Sequence, residues 1–355
     1  MGRIYLVTGA AGHLGNTLLR LLHRRGEQVR ALALPGEPIG HLESLGARWY
    51  RGDVRDPATL EEFLDLPAGE TGIVLHCAGI VSTTAREDSR LYGVNVEGAR
   101  NVGELCLQKG LTMVHVSSVH ALPTGVPGMP IQERYDFDPA QVSGAYAKSK
   151  AAATAALLEL ADQGLDVRVV HPSGILGPYD FGKGHLTQLV LSYLNGGLTA
   201  CVEGGYDFVD VRDVAAGVVA AAEQGRAGEC YILSGHFVRI QDALNEVSRA
   251  SGHKPIHRIL PMWFAKGTAP LAECYYKLLK QPPLYSSYSL EVLTSNGLFD
   301  CTKARRELGY APRPFARTVE DTVRWLASQG RIRRPLTERK ESALSRRVLV
   351  KREEN

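Results

Sequence analysis

Arg3-Ile4-Tyr5-Leu6-Val7-Thr8 runs directly into Gly9-Ala10-Ala11-Gly12-His13-Leu14-Gly15, and an amphipathic stretch then continues to Arg25-Gly26. The first six residues read as a short buried strand, the glycines as a tight turn and the remainder as a helix. In that setting glycine lets backbone amides approach a pyrophosphate at a helix N-terminus, where the helix dipole favours negative charge. The spacing is G-x-x-G-x-x-G rather than G-x-G-x-x-G. A turn that merely needed small residues would share the glycines, but their position straight after the first strand favours the nucleotide.

The same alternation continues along the chain. Further apolar runs at 28–34, 47–50, 72–76, 112–117 and 166–171 are separated by helical patterns at 57–66, 90–109 and 145–163. Short connections between alternating strands and helices imply right-handed βαβ units and a parallel sheet covered on both faces. Ligand then binds beyond the carboxyl ends of the strands. The pattern breaks after Pro178 into glycine-rich and aromatic segments, and 255–283 is rich in apolar residues, among them Met262, Trp263, Phe264, Tyr275 and Tyr276. The expected fold is therefore α/β, a Rossmann-type doubly wound parallel sheet with a smaller C-terminal α/β substrate lobe. The expected division is 1–178 for dinucleotide binding, with 206–236 returning to it, 179–205 and 237–330 for the lobe, and 331–355 as a basic tail.

Tyr146-Ala147-Lys148-Ser149-Lys150 opens the longest helical run and puts a phenol and an ammonium four residues apart, on one helix face. An ammonium beneath a phenol favours the phenolate, so Tyr146 is expected to titrate below its usual value of about 10 and to exchange protons near neutral pH. Ser118, 28 residues earlier at a strand end, adds a second hydroxyl. Ser117 is an alternative for that role. His115 and His120 read as structural or pocket-lining, and neither has a partner at metal-ligand spacing; no metal site is expected.

The glycine turn and the Y-x-x-x-K pair, in this order and separated by the rest of one sheet, resemble the extended branch of the short-chain dehydrogenase/reductase superfamily. Gly52-Asp53-Val54, His76-Cys77-Ala78-Gly79, Asn95-Val96-Glu97-Gly98, Val116-Ser117-Ser118 and His171-Pro172-Ser173-Gly174-Ile175-Leu176-Gly177-Pro178 resemble further family signatures, with His171 in place of the usual arginine. Phe208 to Val214 and Ala304 to Tyr310 complete a resemblance that spans residues 2–328. It implies Ser118, Tyr146 and Lys150 as catalytic residues. Tyr146 would be the acid/base, Lys150 would lower its pKa and hold the nicotinamide ribose, and Ser118 would hydrogen-bond the substrate oxygen. It also implies a cofactor site made of Gly9, Ala11, Gly12, His13, Leu14, Gly15, Leu34, Asp53, Val54, Cys77, Ala78, Gly79, Asn95, Val116, Tyr146, Lys150, His171, Pro172 and Ser173. His120 and Tyr179 join Ser118 as candidate substrate contacts. A homodimer through 90–109 and 145–163 is implied by the resemblance alone.

A carboxylate at the end of the second strand would select NAD and an arginine NADP. The chain has Ala33-Leu34-Pro35-Gly36-Glu37 there, with no arginine, so NAD is favoured over NADP and Glu37 is a candidate ribose contact. The lobe supplies mainly apolar and aromatic side chains, and its C-terminal part resembles 3β-hydroxysteroid dehydrogenases and dihydroflavonol reductases. The expected activity is an NAD(P)-dependent interconversion of a secondary alcohol and a ketone on a hydrophobic, steroid-like molecule. A nucleotide-sugar epimerase or dehydratase, with Arg212, Arg239 and Arg258 for the diphosphate, is the alternative, and a non-catalytic NAD(P) sensor a second.

At 355 residues, 44% hydrophobic and 22% charged, the composition is that of an ordinary soluble protein. No apolar run of membrane-spanning length or signal peptide is evident, so a cytoplasmic location is expected. Six cysteines without a C-x-x-C fit reduced thiols. Residues 331–355 carry nine Lys/Arg against four acids, a charge run more often solvated than bound to nucleic acid or lipid.

Overall fold

The computed structural model describes residues 2–82, 89–182, 184–278, 287–334 and 336, without the side chains of 271–278. Most of the basic tail and the side chains of Cys274, Tyr275 and Tyr276 therefore lie outside the described residues. The strands are β1 (Arg3–Thr8), β2 (Gln28–Ala33), β3 (Arg48–Arg51), β4 (Thr71–His76), β5 (Thr112–Val116), β6 (Val167–Pro172), β7 (Gly174–Leu176), β8 (Cys201–Val202), β9 (Gly205–Asp210), β10 (Cys230–Leu233), β11 (His236–Arg239) and β12 (Ile259–Leu260).

Seven of them form one sheet in the order β10-β6-β5-β4-β1-β2-β3, and every pairing in it is parallel. Both faces are covered, which is why the strands read as nearly unbroken apolar runs. In β1, Tyr5 and Val7 enter the core shared with Leu14, Leu18, Leu19 and Leu22 of helix His13–Arg24 and with helix Val211–Gln224. Ile4 and Leu6 face the opposite core, with Val102 and Leu105 of helix Gly98–Lys109 and Leu157 and Leu160 of helix Ala145–Asp162. The chain leaves β1 toward β2 on one side and reaches β4 on the other. That reversal opens a crevice at the carboxyl ends of β1 and β4.

A three-stranded sheet, β11-β9-β7, and a pair, β12-β8, build the second body. Its core combines helices His185–Leu194, Ile240–Ser251 and Phe315–Ser328. The returning segment enters the first domain through helix Val211–Gln224 and β10, while β9 stays in the smaller sheet. Cys301, Ala304, Leu308 and Tyr310 also join the first domain's core, and the Tyr310 hydroxyl donates to Ser234 O at 2.9 Å. Part of the stretch assigned from sequence to the lobe thus packs on the nucleotide side.

Two helical expectations change. The run 57–66 becomes a 3-10 turn, Pro57–Leu60, and a single α turn, Glu61–Leu64, because Pro67 disfavours helical backbone at the residue before it. The run 90–109 is interrupted by a π turn over Gly93–Glu97, between Ser89–Tyr92 and Gly98–Lys109. Such turns insert an extra residue into a helix and redirect its side chains. Here the redirected residue is Asn95.

Candidate active site

The glycine turn has the geometry of a phosphate cradle. Gly9 holds φ at +60°, and a Cβ on it would stand 2.7 Å from Ala78 N; a Cβ on Gly15 would stand 2.1 Å from Gly9 O. Helix His13–Arg24 starts at Gly12 with no side-chain cap, so its first amides point into the crevice. These residues fit a dinucleotide pyrophosphate, and Ala11 and Leu14 belong to the same turn. His13 opens the helix with its ring turned to the segment after β7. Its ring is directed at Pro178 O, 2.9 Å from Nε2, and burial lowers its pKa, so it joins the turn to the 177–179 segment. Asn16 does the same, donating to Gly12 O at 2.8 Å and Tyr179 O at 2.9 Å.

The loop after β4 closes the opposite wall. Thr8 Oγ1 lies 2.9 Å from His76 Nδ1 and accepts from Ala78 N at 3.2 Å. A Cβ on Gly79 would meet Asn95 Oδ1 at 3.2 Å and Lys150 Nζ at 3.3 Å, which places all three together. Asn95 is a loop clamp: Oδ1 accepts from Ile80 N at 2.7 Å, and Nδ2 donates to Ile80 O and Ser149 Oγ, both at 3.0 Å. Its amide is therefore spent on protein rather than turned to the cofactor. Cys77 is buried enough around its thiol that its pKa rises to about 12. Val54 packs in the core against the helix start at Gly98.

Ser118, Tyr146 and Lys150 converge at the ends of β5 and the helix Ala145–Asp162. The Ser118 hydroxyl reaches the Tyr146 phenol and favours its anion, but burial is the larger effect and leaves the phenol above its ordinary pKa. Lys150 Nζ donates to Val116 O at 2.8 Å, and burial lowers its pKa to about 8. The expected acidification of Tyr146 by Lys150 is thus not present in this geometry. The ammonium is held by a carbonyl, and desolvation, which penalises charge on either group, dominates both. Ser117 is committed elsewhere: its hydroxyl lies 2.8 Å from Thr154 Oγ1 inside the core.

His171 stands where the family resemblance implies arginine. It is fully buried, donates from Nδ1 to Ser118 O at 3.1 Å, and stacks on Phe137. Its role is to hold the Ser118 backbone. Ser173 turns its hydroxyl to Asp207, and Pro172 ends β6 opposite Leu233. His115 stacks on His76 at 5.4 Å within the sheet, away from any metal cluster. Among the described residues no three His, Cys, Asp or Glu stand together as metal ligands.

His120 faces the phenol. Its ring meets Tyr146 edge-on at 6.0 Å, its Nε2 lies 2.7 Å from the Tyr206 hydroxyl, and Nδ1 lies 3.5 Å from the Tyr288 hydroxyl. Burial lowers its pKa to about 4, so the ring is neutral at pH 7. Tyr206 and Tyr288 were not singled out from sequence. Tyr206 shares a face of β9 with Phe208 and Asp210, a period-two signal that was available; nothing local marks Tyr288. Tyr179, a candidate substrate contact, is instead packed between Arg20, 4.6 Å from its ring centroid, and Trp325.

At the far end of the crevice Asp53 pairs with Arg55, which holds its carboxyl below the usual range. Glu37 accepts from Leu34 N at 3.1 Å. Arg51, unremarked in the sequence, ends β3 beside Ala33 and donates to Leu34 O at 2.9 Å and Glu37 O at 2.8 Å.

A phosphate cradle at the first strand, a Ser-Tyr-Lys group at the fifth and a parallel sheet joining them define an extended short-chain dehydrogenase/reductase. The chain belongs to the NAD dependent epimerase/dehydratase family, whose profile matches residues 5–234. It is an oxidoreductase-type enzyme of that family with a nicotinamide cofactor. It is 31% identical to sterol demethylase protein B of Methylococcus capsulatus over 92% of this chain and 99% of the relative. It is 28% identical to human 3 beta-hydroxysteroid dehydrogenase type 7 over 87% of this chain and 91% of that protein. Among solved structures, gox2253 superposes with a TM-score of 0.80 at 32% identity, covering 93% of this chain and 99% of that one.

Proposed function

We propose that this enzyme interconverts a secondary alcohol and a ketone on a hydrophobic, steroid-like substrate, with Ser118, Tyr146 and Lys150 as the catalytic residues. The observation that carries the proposal is the meeting of the Ser118 hydroxyl and the Tyr146 phenol one helix turn from Lys150, whose ammonium lies by Gly79 in the loop that closes on Gly9. Negative charge grows on the substrate oxygen during reduction, and two donors aimed at one oxygen stabilise it. The dinucleotide, when bound, supplies or accepts the hydride at its nicotinamide ring. Tyr146 gives its proton to the carbinol oxygen in reduction and takes it back in oxidation. Lys150, held by Val116 O one turn along the helix from Tyr146, is the positive charge available to stabilise the phenolate while its proton is away. Gly9, Gly12 and Gly15 hold the pyrophosphate, and Asn95 keeps the Gly79 loop against the catalytic helix.

The aromatic wall of Tyr206, His120 and Tyr288 supports a flat ring system as substrate. The sterol- and steroid-named relatives support the same class. The epimerase alternative needs arginines for a diphosphate, but Arg212 is tied to Asp210 and Asp321, and Arg239 and Arg258 face solvent. At the adenosine end Glu37 accepts from Leu34 N with one oxygen, while Arg51 keeps Nε and Nη2 for an anion, which supports a 2′-phosphate and so NADP beside the NAD favoured from sequence. A dimer would use the outer face of helix Ala145–Asp162, where Ala152, Ala155 and Ala156 are half-buried.

The test is a panel of hydroxysteroids, flavonols and nucleotide sugars, each with NAD and NADP, run on wild type and Tyr146→Phe. Free reduced cofactor accumulating with a steroid alcohol, and lost in Tyr146→Phe while cofactor still binds, is expected. Turnover of a nucleotide sugar without net cofactor reduction would replace the proposal with the epimerase reading.

A further inference from the structure

Helix Met262–Leu278 shows two unlike sides in its first two turns. Met262, Ala265 and Ala269 point inward and pack with Leu290 and Val202, so this segment already has its core. Trp263 and Phe264 point outward at 75% and 44% exposure, their rings edge to face at 5.9 Å. Ile259 of β12, 43% exposed, and the exposed Pro255 and Pro261 lead into it along the chain. A tryptophan this open is not a displaced core residue, since the inner side of the helix is filled without it.

The charge around the edge is of one sign. From residue 247 to residue 272 the sequence holds no Asp or Glu, while Arg249, Lys254, Arg258 and Lys266 are all present. Lys254, Arg258 and Lys266 are exposed, and none is ion-paired among the described residues. Exposed aromatic rings rimmed by unpaired cations match a bilayer interface, where Trp sits at headgroup depth and each cation is attracted to anionic lipid. No helix among the described residues is long and apolar enough to cross a membrane, so contact would be superficial.

We infer that residues 254–267 form a docking edge for an anionic phospholipid surface, with Trp263 and Phe264 entering the headgroup layer. The edge lies on the substrate lobe, so an apolar substrate dissolved in lipid would be within its reach. The inference does not depend on which reaction the site performs.

The experiment is co-sedimentation of the full chain with vesicles of phosphatidylcholine alone and of phosphatidylcholine with an equal part of phosphatidylglycerol, at low and high salt. Wild type should partition onto the anionic vesicles, less onto the neutral ones, and less as salt rises. Tryptophan emission should shift to the blue on binding, because Trp325 is buried and Trp263 is the exposed indole. The variant W263S/F264S should lose about tenfold or more in partitioning per ring removed. K254Q/R258Q/K266Q should lose the preference for anionic lipid, and circular dichroism should match wild type for both. Equal partitioning of wild type and W263S/F264S would overturn the inference and assign binding to the basic tail, which both chains retain. Absence of partitioning at low salt would overturn it too, as would a solution mass that halves in W263S/F264S, which would make the edge an interface between two copies.

Discussion

Lys150→Met should make the protein more stable at neutral pH while removing its activity. Lys150 is 5% exposed, its ammonium has one carbonyl partner, and burial takes its pKa from the ordinary 10.5 to about 8. A base with a lowered folded-state pKa binds fewer protons folded than unfolded between those two values. Stability therefore rises with pH across that window, and the full cost of the buried charge is felt below it. At about 1.4 kcal/mol per pKa unit the cost at pH 7 is about 3 kcal/mol. Methionine keeps the length of the stem and removes the charge, but it leaves Val116 O without its donor, which returns about 1 kcal/mol. The net expectation is a variant about 2 kcal/mol more stable at pH 7, and kcat lowered by about 10²-fold or more. Urea titrations of both chains from pH 7 to pH 11 measure this directly. The advantage of the variant should shrink from pH 8 upward and vanish or reverse near pH 10.5, where lysine is neutral in the folded chain and half neutral in the unfolded one. The buried thiols titrate in both chains and cancel in the difference. A variant less stable than wild type at pH 7, by an amount that does not change with pH, would show that the ammonium is well solvated and the argument from burial is wrong.

Ser118→Ala should lower kcat by about 10²-fold, whereas Ser117→Ala should leave kcat intact and cost about 1 kcal/mol of stability through the Thr154 contact; steady-state kinetics beside thermal melts separate them. Arg51→Gln should weaken NADP binding by about ten- to hundredfold and leave NAD unchanged; fluorescence titration of both reduced cofactors checks it, and equal losses for the two would remove Arg51 from any phosphate role. Gly15→Ala, whose Cβ would fall 2.1 Å from Gly9 O, should abolish cofactor binding and cost about 1–3 kcal/mol, with Gly40→Ala, which meets nothing, as the neutral comparison by calorimetry.

The sheet was legible because its signal is local and repeated. Arg3–Thr8 agrees with its expected bounds, and the other five anticipated strands lie within a residue or so of theirs. Spacing also singled out the glycine turn and the Ser118, Tyr146 and Lys150 group, and the loop at 78–79 approaches both Gly9 and Lys150. What spacing could not carry was direction. Asn95 and His171 occupy the expected places but face Ile80, Ser149 and Ser118 O, since a π turn and a buried imidazole depend on neighbours distant in sequence. The sign of the Tyr146 shift likewise depends on how much water the fold removes, which no i, i+4 rule contains. Tyr288 comes from 168 residues beyond His120, and Arg51 matters only because β3 pairs with β2. Trp263 and Phe264 read equally as lobe core or pocket wall, and the helix phase turns them to solvent.

Asn95 fastens Ile80, just past β4, to Ser149, one position from Lys150 on the catalytic helix. The loop after β4 and the helix that carries Tyr146 and Lys150 are thus tied together, and the room a bulky substrate needs is expected to come from the facing rim. Helix Ser287–Thr294 brings Tyr288 to His120 from the facing side, so substitutions in that helix are expected to change how fast a bulky substrate enters and its product leaves.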